Sequence, residues 1–310
     1  MITTVTLNAA VDKLYLVKKV ELDTVMRVEE VCNTAGGKGL NVSKVAALVG
    51  ERVTATGFLG GFNGRYVKSL LESAGIIPRF AEIDAETRSC INIRDLSTGK
   101  HTEYLEPGSK ITPENIAEFL RIFKEVLPQS DVVTISGSVP KGTPDDFYGD
   151  VIQLCRSAGK PVIVDTSGEL LRKTVQAKPT MVKPNTDEIE QLLGYKPGTV
   201  DEIVEAAREI HKDGIGYVAV SLGKNGAVLV CDEGVFKGDT PDIPIVNSVG
   251  SGDSMVAGFA ASISRGYDAA EMLRFAMAVS TANALEMPTG HIRLENVERL
   301  INEVTVTKLS

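Results

Sequence analysis

Two glycine-rich segments of this chain each stand just before a helical pattern, and each carries a charge. Gly36-Gly37-Lys38-Gly39-Leu40-Asn41 opens the first clear helix, where backbone N–H groups and the positive end of the helix dipole attract an anion. Lys38 is out of place in a plain helix start, because a cation there is unfavourable unless something anionic lies beside it. Val249-Gly250-Ser251-Gly252-Asp253 leads into the apolar helix 254–265 in the same way, with the acid last. As simple structure, Asp253 is an N-cap or first-turn carboxylate. As chemistry, the amides of Gly250, Ser251 and Gly252 surround a transferring phosphoryl group while Asp253 takes the proton of an attacking hydroxyl.

A third group, Lys183-Pro184-Asn185-Thr186-Asp187-Glu188, follows a short β-rich run. Asn185 and Glu188 have the spacing of a capping box, which explains them without any ligand. The same pair can also orient water around Mg2+, with Lys183 neutralising phosphate charge, and both readings stay open. Ser221 to Gly226 joins two β-rich runs and reads as a hairpin with an Asn-Gly turn that can also border a nucleotide. The Gly-x4-Gly-Lys-Ser/Thr loop, the Gly-x-Gly-x-x-Gly fingerprint and the Gly-x-Ser-x-Gly elbow are all missing, and no His pair has metal-ligand spacing. Serine and zinc hydrolase chemistry therefore fall away.

Composition narrows the partners. A net charge of -8 argues against nucleic acid, and the absence of Trp disfavours a base-stacking surface. No run of apolar residues is long enough to span a bilayer, and the N-terminus lacks a cationic region and a long apolar core, so the expectation is a cytoplasmic protein. Cys32, Cys90, Cys155 and Cys231 are scattered and read as reduced thiols without zinc.

The elements that must position these groups alternate. Strands are expected from the N-terminus to near Asn8, and at 131–136, 161–165, 180–182 and 217–221. Helices are expected at 40–49, 65–74, 113–127, 200–213, 254–265 and 269–287. This order predicts a mostly parallel sheet with helices on both faces. Two stretches, 13–35 and 87–106, read instead as paired strands, with alternation such as Val25, Arg27, Glu29, Val31. They predict a small β-sheet lid projecting from a large α/β domain of 1–12, 36–86 and 107–310.

Taken in order, Thr6-Leu7-Asn8 with Asp12, the Gly36 to Asn41 loop, Thr87-Arg88, Ser136-Gly137-Ser138, Lys183-Pro184-Asn185, Ser221-Leu222-Gly223 and Gly250 to Asp253 span nearly the whole chain. This set resembles the ribokinase-like carbohydrate kinases of the pfkB type, especially the subgroup of tagatose-6-phosphate kinase and 1-phosphofructokinase. The resemblance implies one kinase unit over 1–310, an αβα sandwich with a β-sheet lid, MgATP as donor, a ketohexose phosphate as acceptor and homodimers formed through the lid. It implies Asp253 as base, Gly250, Ser251 and Gly252 as anion hole, and Asp12, Gly37 and Asn41 on sugar hydroxyls. Lys38, Arg27 and Arg88 are left for the acceptor's own phosphate, with Ser138 as a further donor. A neutral sugar would not offset the desolvation of several cations, whereas a phosphate forms charge-assisted bonds to them. Lys183, Asn185 and Glu188 match the phosphate and magnesium environment, and Ser221, Gly223, Gly226 and Asn283 border the nucleotide. One departure is Asn247-Ser248, where many relatives have Asp-Thr, which puts monovalent-ion dependence in question.

The local likeness of Met287-Pro288-Thr289-Gly290-His291 to the tagatose-type enzymes places tagatose 6-phosphate first as acceptor. Fructose 1-phosphate is the alternative, because a furanose has a hydroxymethyl arm on each side and nearly superposes after reversal. A non-catalytic sugar-phosphate sensor and a kinase of free sugars are the competing classes.

Overall fold

The computed structural model describes residues 1–310. Its first half runs β1 (Ile2–Thr6), β2 (Ala10–Val17), β3 (Glu30–Gly36), α1 (Lys38–Leu48), β4 (Val53–Gly60), α2 (Gly61–Ser73), β5 (Ile77–Pro78), β6 (Ala81–Ile83), β7 (Arg88–Asp95), β8 (His101–Leu105), α3 (Pro113–Val126), β9 (Val132–Ser136) and α4 (Phe147–Ser157). The second half runs β10 (Val162–Asp165), α5 (Gly168–Gln176), β11 (Met181–Val182), α6 (Thr186–Leu193), α7 (Val200–Lys212), β12 (Tyr217–Ser221), β13 (Ala227–Cys231), β14 (Gly234–Asp239), α8 (Ser251–Arg265), α9 (Ala269–Ala284), α10 (Leu294–Glu303) and β15 (Thr305–Lys308). No helix is long and apolar enough to cross a membrane.

The main sheet has 11 strands in the order β15-β14-β13-β12-β11-β10-β9-β1-β4-β5, with β6 also on β4. It is parallel from β5 to β12, and its far end is closed by antiparallel β13, β14 and β15. β1, β4 and β9 are buried along their whole length, as expected of strands covered on both faces. Alternate residues feed two separate cores. Ile2, Val132 and Ile163 pack with α1, α8 and α9, whereas Val5, Val133 and Val164 pack with α3, α4 and α7. This is the expected α/β sandwich. Its parallel strands send Ser136, Asp165 and Ser221 to one edge, the end of such sheets where ligands bind.

A second sheet of 4 strands, β3-β2-β7-β8, stands apart from the first. It is built from the two stretches read as paired strands, with β2 starting earlier, at Ala10. The alternation over Val25 to Val31 is not a strand throughout: only Glu30–Gly36 pairs with β2, and residues 18–29 form the connection. Those residues have no partner strand, and an alternating pattern alone cannot supply one.

α8 carries Asp253 and packs against α9 so closely that a Cβ on Gly258 would lie 2.5 Å from Ala276 Cα. Gly258→Val therefore has to push the helices apart. We expect it to lower unfolding stability by about 2 kcal/mol or more, as overpacked interiors do. Urea unfolding followed by circular dichroism measures this, and an unchanged midpoint would show that the helices do not meet there.

Candidate active site

α1 and α8 pack side by side, and their N-termini line one cleft of about 580 Å3. Across it stands the inner face of the small sheet, with Asp12, Leu14, Cys32, Thr34, Cys90 and Asn92. The two glycine loops thus meet, as their chemistry requires. Asn41 Nδ2 on α1 donates to Asp253 Oδ2 on α8 at 2.8 Å. Asp253 is only 6% exposed, and burial, reinforced by the negative charge of Asp165, pushes its pKa up to about 7. The Asn41 hydrogen bond, Lys38 and Lys183 oppose that rise.

Gly250 caps α8 in the left-handed region at φ 82°, where a side chain is strained, and no side chain caps the helix. The amides of Gly250, Gly252 and Asp253 have no backbone acceptor and remain free for an anion. Ser251 departs from expectation: its N–H donates to Ser248 O at 3.2 Å, because the chain makes a tight turn into the helix there. The free donors are therefore those of Gly250, Gly252 and Asp253.

Asp165, at the end of β10, was not singled out from the sequence and sits at the electrostatic centre. It is 1% exposed, and neither of its oxygens makes a hydrogen bond. Lys183 Nζ lies 3.5 Å and Lys38 Nζ 3.6 Å from Asp165 Oδ1. Burial would depress the Lys38 ammonium, but Asp165, then Asp253 and Glu188, hold it above the ordinary lysine value. Lys38 thus lines the cleft beside Asp165. A Cβ on Gly252 would be 3.5 Å from Lys183 Nζ, which sets that lysine beside the free amides of α8.

Asn185 and Glu188 form the capping box, with Asn185 N donating to Glu188 Oε2 at 2.9 Å and Glu188 N to Asn185 Oδ1 at 2.8 Å. Glu188 Oε1 is left uncommitted in the cleft. Burial, with Asp165 nearby, raises the Glu188 carboxyl above its usual value despite the Asn185 amide. No group of three His, Cys, Asp or Glu side chains forms a metal cage. The unbonded oxygens of Asp165 and the free oxygen of Glu188 nevertheless fit Mg2+, which keeps its waters and takes one or two carboxylates plus phosphate oxygens. Bound there, Mg2+ would neutralise charge on the donor phosphates.

On the acceptor side, Asp12 is raised by burial and opposed by Lys44, Arg88 and the Gly37 N–H. Arg88 lines the cleft and donates to Asn8 O at 2.8 Å and Glu106 O at 2.9 Å. Ser138 lies just outside, where Asn8 Nδ2 donates to its Oγ at 3.1 Å. Arg27 is fully exposed in the connection between β2 and β3 and does not reach the cleft of its own chain. Its expected role came with the family resemblance, and the connection that carries it lies away from the cleft.

Ser221 lines the cleft, and the hairpin of β12 and β13 follows it. Gly223 and Gly226 lie in its turn and do not border the cleft. Gly226 serves the sheet, since a Cβ there would be 1.9 Å from Gly238 O. Asn283 likewise fills a structural place: its amide donates to Val249 O at 2.9 Å and accepts from Gly290 N at 3.0 Å. It holds the two loops that flank the start of α8, and it is fully buried and does not line the cleft.

Residues 2–294 match the profile of the pfkB family carbohydrate kinases, and the chain belongs to that family. It is a phosphotransferase acting on carbohydrate, and as such uses ATP. The chain is similar to phosphofructokinase-2 from Escherichia coli in complex with potassium, at 26% identity over 97% of this chain and 98% of that one, with a TM-score of 0.91. A Staphylococcus aureus structure described provisionally as a phosphofructokinase is 32% identical, covering 100% of this chain and 99% of that one, with a TM-score of 0.87. A Thermotoga maritima protein named as a possible 1-phosphofructokinase is 28% identical over the full length of both chains, also with a TM-score of 0.87.

The raised pKa of Asp253 has a measurable sign. A folded carboxyl with pKa about 7 keeps a proton that the unfolded chain loses near pH 4, so stability falls as pH rises between those values and is level above. Asp253→Asn removes that loss. We expect the variant to melt higher than the parent at about pH 8, with the difference shrinking towards about pH 4. Thermal melts of both proteins across that range decide it, and a lower melting temperature for the variant at alkaline pH would contradict the buried charge.

Proposed function

We propose that the chain transfers the terminal phosphoryl group of ATP to a primary hydroxyl of a phosphorylated ketohexose, giving a 1,6-bisphosphate. The observation that carries this reading is the 2.8 Å contact of Asn41 with Asp253 beside the free amides of α8. It brings a hydroxyl-binding loop, a base and an anion cradle to one point. The hydroxyl oxygen attacks the γ-phosphorus, the bond from that phosphorus to the β–γ bridging oxygen breaks, and the hydroxyl proton passes to Asp253. ADP leaves with the bridging oxygen.

Asp12, Asn41 and the Gly37 amide hold acceptor hydroxyls, so the attacking oxygen is fixed before transfer. Lys38 and Lys183, both within ion-pair distance of Asp165, serve the transferring group and the donor phosphates respectively in this reading. Arg88 keeps N–H donors beyond its two backbone partners and, with Ser138, serves the acceptor's own phosphate. The small sheet acts as a lid on the large α/β body and excludes water, which would otherwise compete as acceptor. Exposed Leu22 (91%) and Val25 (94%) beside that sheet support pairing of two copies through it.

The names of the similar phosphofructokinases support a hexose phosphate as acceptor. Tagatose 6-phosphate is the first to test, with fructose 1-phosphate and fructose 6-phosphate beside it. An assay of ADP release should show turnover with phosphorylated ketohexoses and little with free sugars. Equal turnover of free sugars rejects the acceptor phosphate, and ATP binding without turnover of any sugar points to a sensor. Asp253→Asn should lower kcat by about 10²–10⁴-fold while ATP still binds, the range expected for a lost general base. For the parent enzyme, kcat/KM for the acceptor should rise with pH with its midpoint near pH 7 and level off about one unit above, following ionisation of Asp253. A flat profile through that range would remove Asp253 as the base.

A further inference from the structure

Lys44 stands one turn beyond Asn41 on the same side of α1, the spacing at which helix side chains are neighbours. A lysine on a helix ordinarily points into water, yet Lys44 Nζ turns inward and donates to Thr289 O at 3.2 Å. The negative potential that acts on it comes from the two carboxylates of the proposed reaction, Asp12 first and then Asp253, and from the Cys32 thiol. Burial pushes the Lys44 ammonium below the ordinary lysine value, and Asp12, then Asp253, draw it back up. Seen from Asp12, Lys44 is the largest influence against burial, ahead of Arg88.

The carbonyl it grips belongs to a crowded junction. A Cβ on Gly250 would be 2.7 Å from Thr289 Cγ2, and one on Gly290 would be 2.9 Å from Asn41 Oδ1. Gly290 N is in turn fixed by Asn283, which also holds Val249 O. Segment 287–290 therefore wedges between α1 and the anion cradle, and Lys44 is the only charged side chain that hydrogen-bonds to its backbone.

We propose that Lys44 is a positioning residue for the acceptor: by gripping Thr289 O it holds segment 287–290 against Asn41, so that the hydroxyl-binding side of the cleft stays in register with the cradle at Gly250. Lys44 does not line the cleft and acts only through Thr289 and the segment around it. This rests on the reading that Asn41 holds acceptor hydroxyls.

The test compares Lys44→Met, which keeps the stem and loses the charge, with Lys44→Arg, which keeps the charge, using full-length protein, ATP and the ketohexose phosphate that the parent turns over best. Lys44→Met should raise the acceptor KM by about tenfold or more and leave the ATP KM within about twofold, while Lys44→Arg recovers most of the acceptor KM. Equal rises in both KM values, or equal damage by Met and Arg, overturn the proposal. If Lys44→Met does not fold, Lys44→Gln, which keeps a hydrogen-bond donor for Thr289 O, should fold and raise the acceptor KM less than loss of the donor would. A Lys44→Gln variant that also fails to fold counts against the role. Should the parent itself turn over no ketohexose phosphate, the functional reading fails first, and that outcome is separate from any effect at Lys44.

Discussion

Asp253 and Asp165 are nearly out of water, and the negative charge of Asp165 makes the ionisation of Asp253 more costly. Burying carboxylates is tolerable only when positive potential reaches them from several directions. Here it comes from Lys38 at the start of α1, from Lys183 after β11, and from the open N-terminus of α8. These groups are distant in sequence, and the sheet order is what gathers them. β9, β10 and β11 lie in adjacent parallel register, so Ser136, Asp165 and Lys183 emerge at one edge, directly under the two helix starts. The geometry that sets Asp253 at the mouth of the α8 cradle and the geometry that keeps its charge affordable are the same.

The loops were legible in the sequence because their residues contradict ordinary structure. A lysine inside a helix N-terminus needs an anion beside it, and a glycine-rich helix start offers amides to one, although Ser251 in that start proves to be bonded to Ser248. Helix starts with complete capping boxes, such as those of Thr112, Thr199 and Asp268, were equally plain. Asp165 escaped because a single acid after an apolar run looks like any strand end, and only the neighbouring strands reveal its partners. Lys44 escaped for a similar reason, since its position in α1 reads as a solvated face until the 287–290 segment covers it. β4 was missed because Thr54 and Thr56 interrupt the apolar run, yet both are buried, with Thr56 Oγ1 donating to Arg79 O at 2.6 Å.

Asn283 and Ser251 show how a polar residue in the right place is diverted. Both lie within reach of the anion hole, and both spend their groups on keeping its walls together. Asn185 and Glu188 do the reverse. Their capping bonds fix the start of α6, but a carboxylate has more acceptor sites than the cap uses, so the box leaves Glu188 Oε1 for the cleft. Capping and chemistry are compatible there because the cap supplies the orientation that a loosely held glutamate would lack.

The same accounting explains the departure at Asn247. Its amide does two tasks at once: Nδ2 donates to Met287 O at 2.9 Å, and Oδ1 accepts from Val249 N at 3.0 Å. The aspartate of many relatives could accept from Val249 but has no hydrogen to give Met287. It would also add another negative charge to a corner that already holds Asp165, Asp253 and Glu188, making Asp253 harder to ionise and donor phosphates harder to admit. With asparagine, the loop is closed by neutral hydrogen bonds, joined by those of Val246 N and Asn247 N to Ala284 O at 2.8 and 3.2 Å. The wall of the anion hole is thereby secured from within the chain, and the charge balance around Asp253 is left to the lysines.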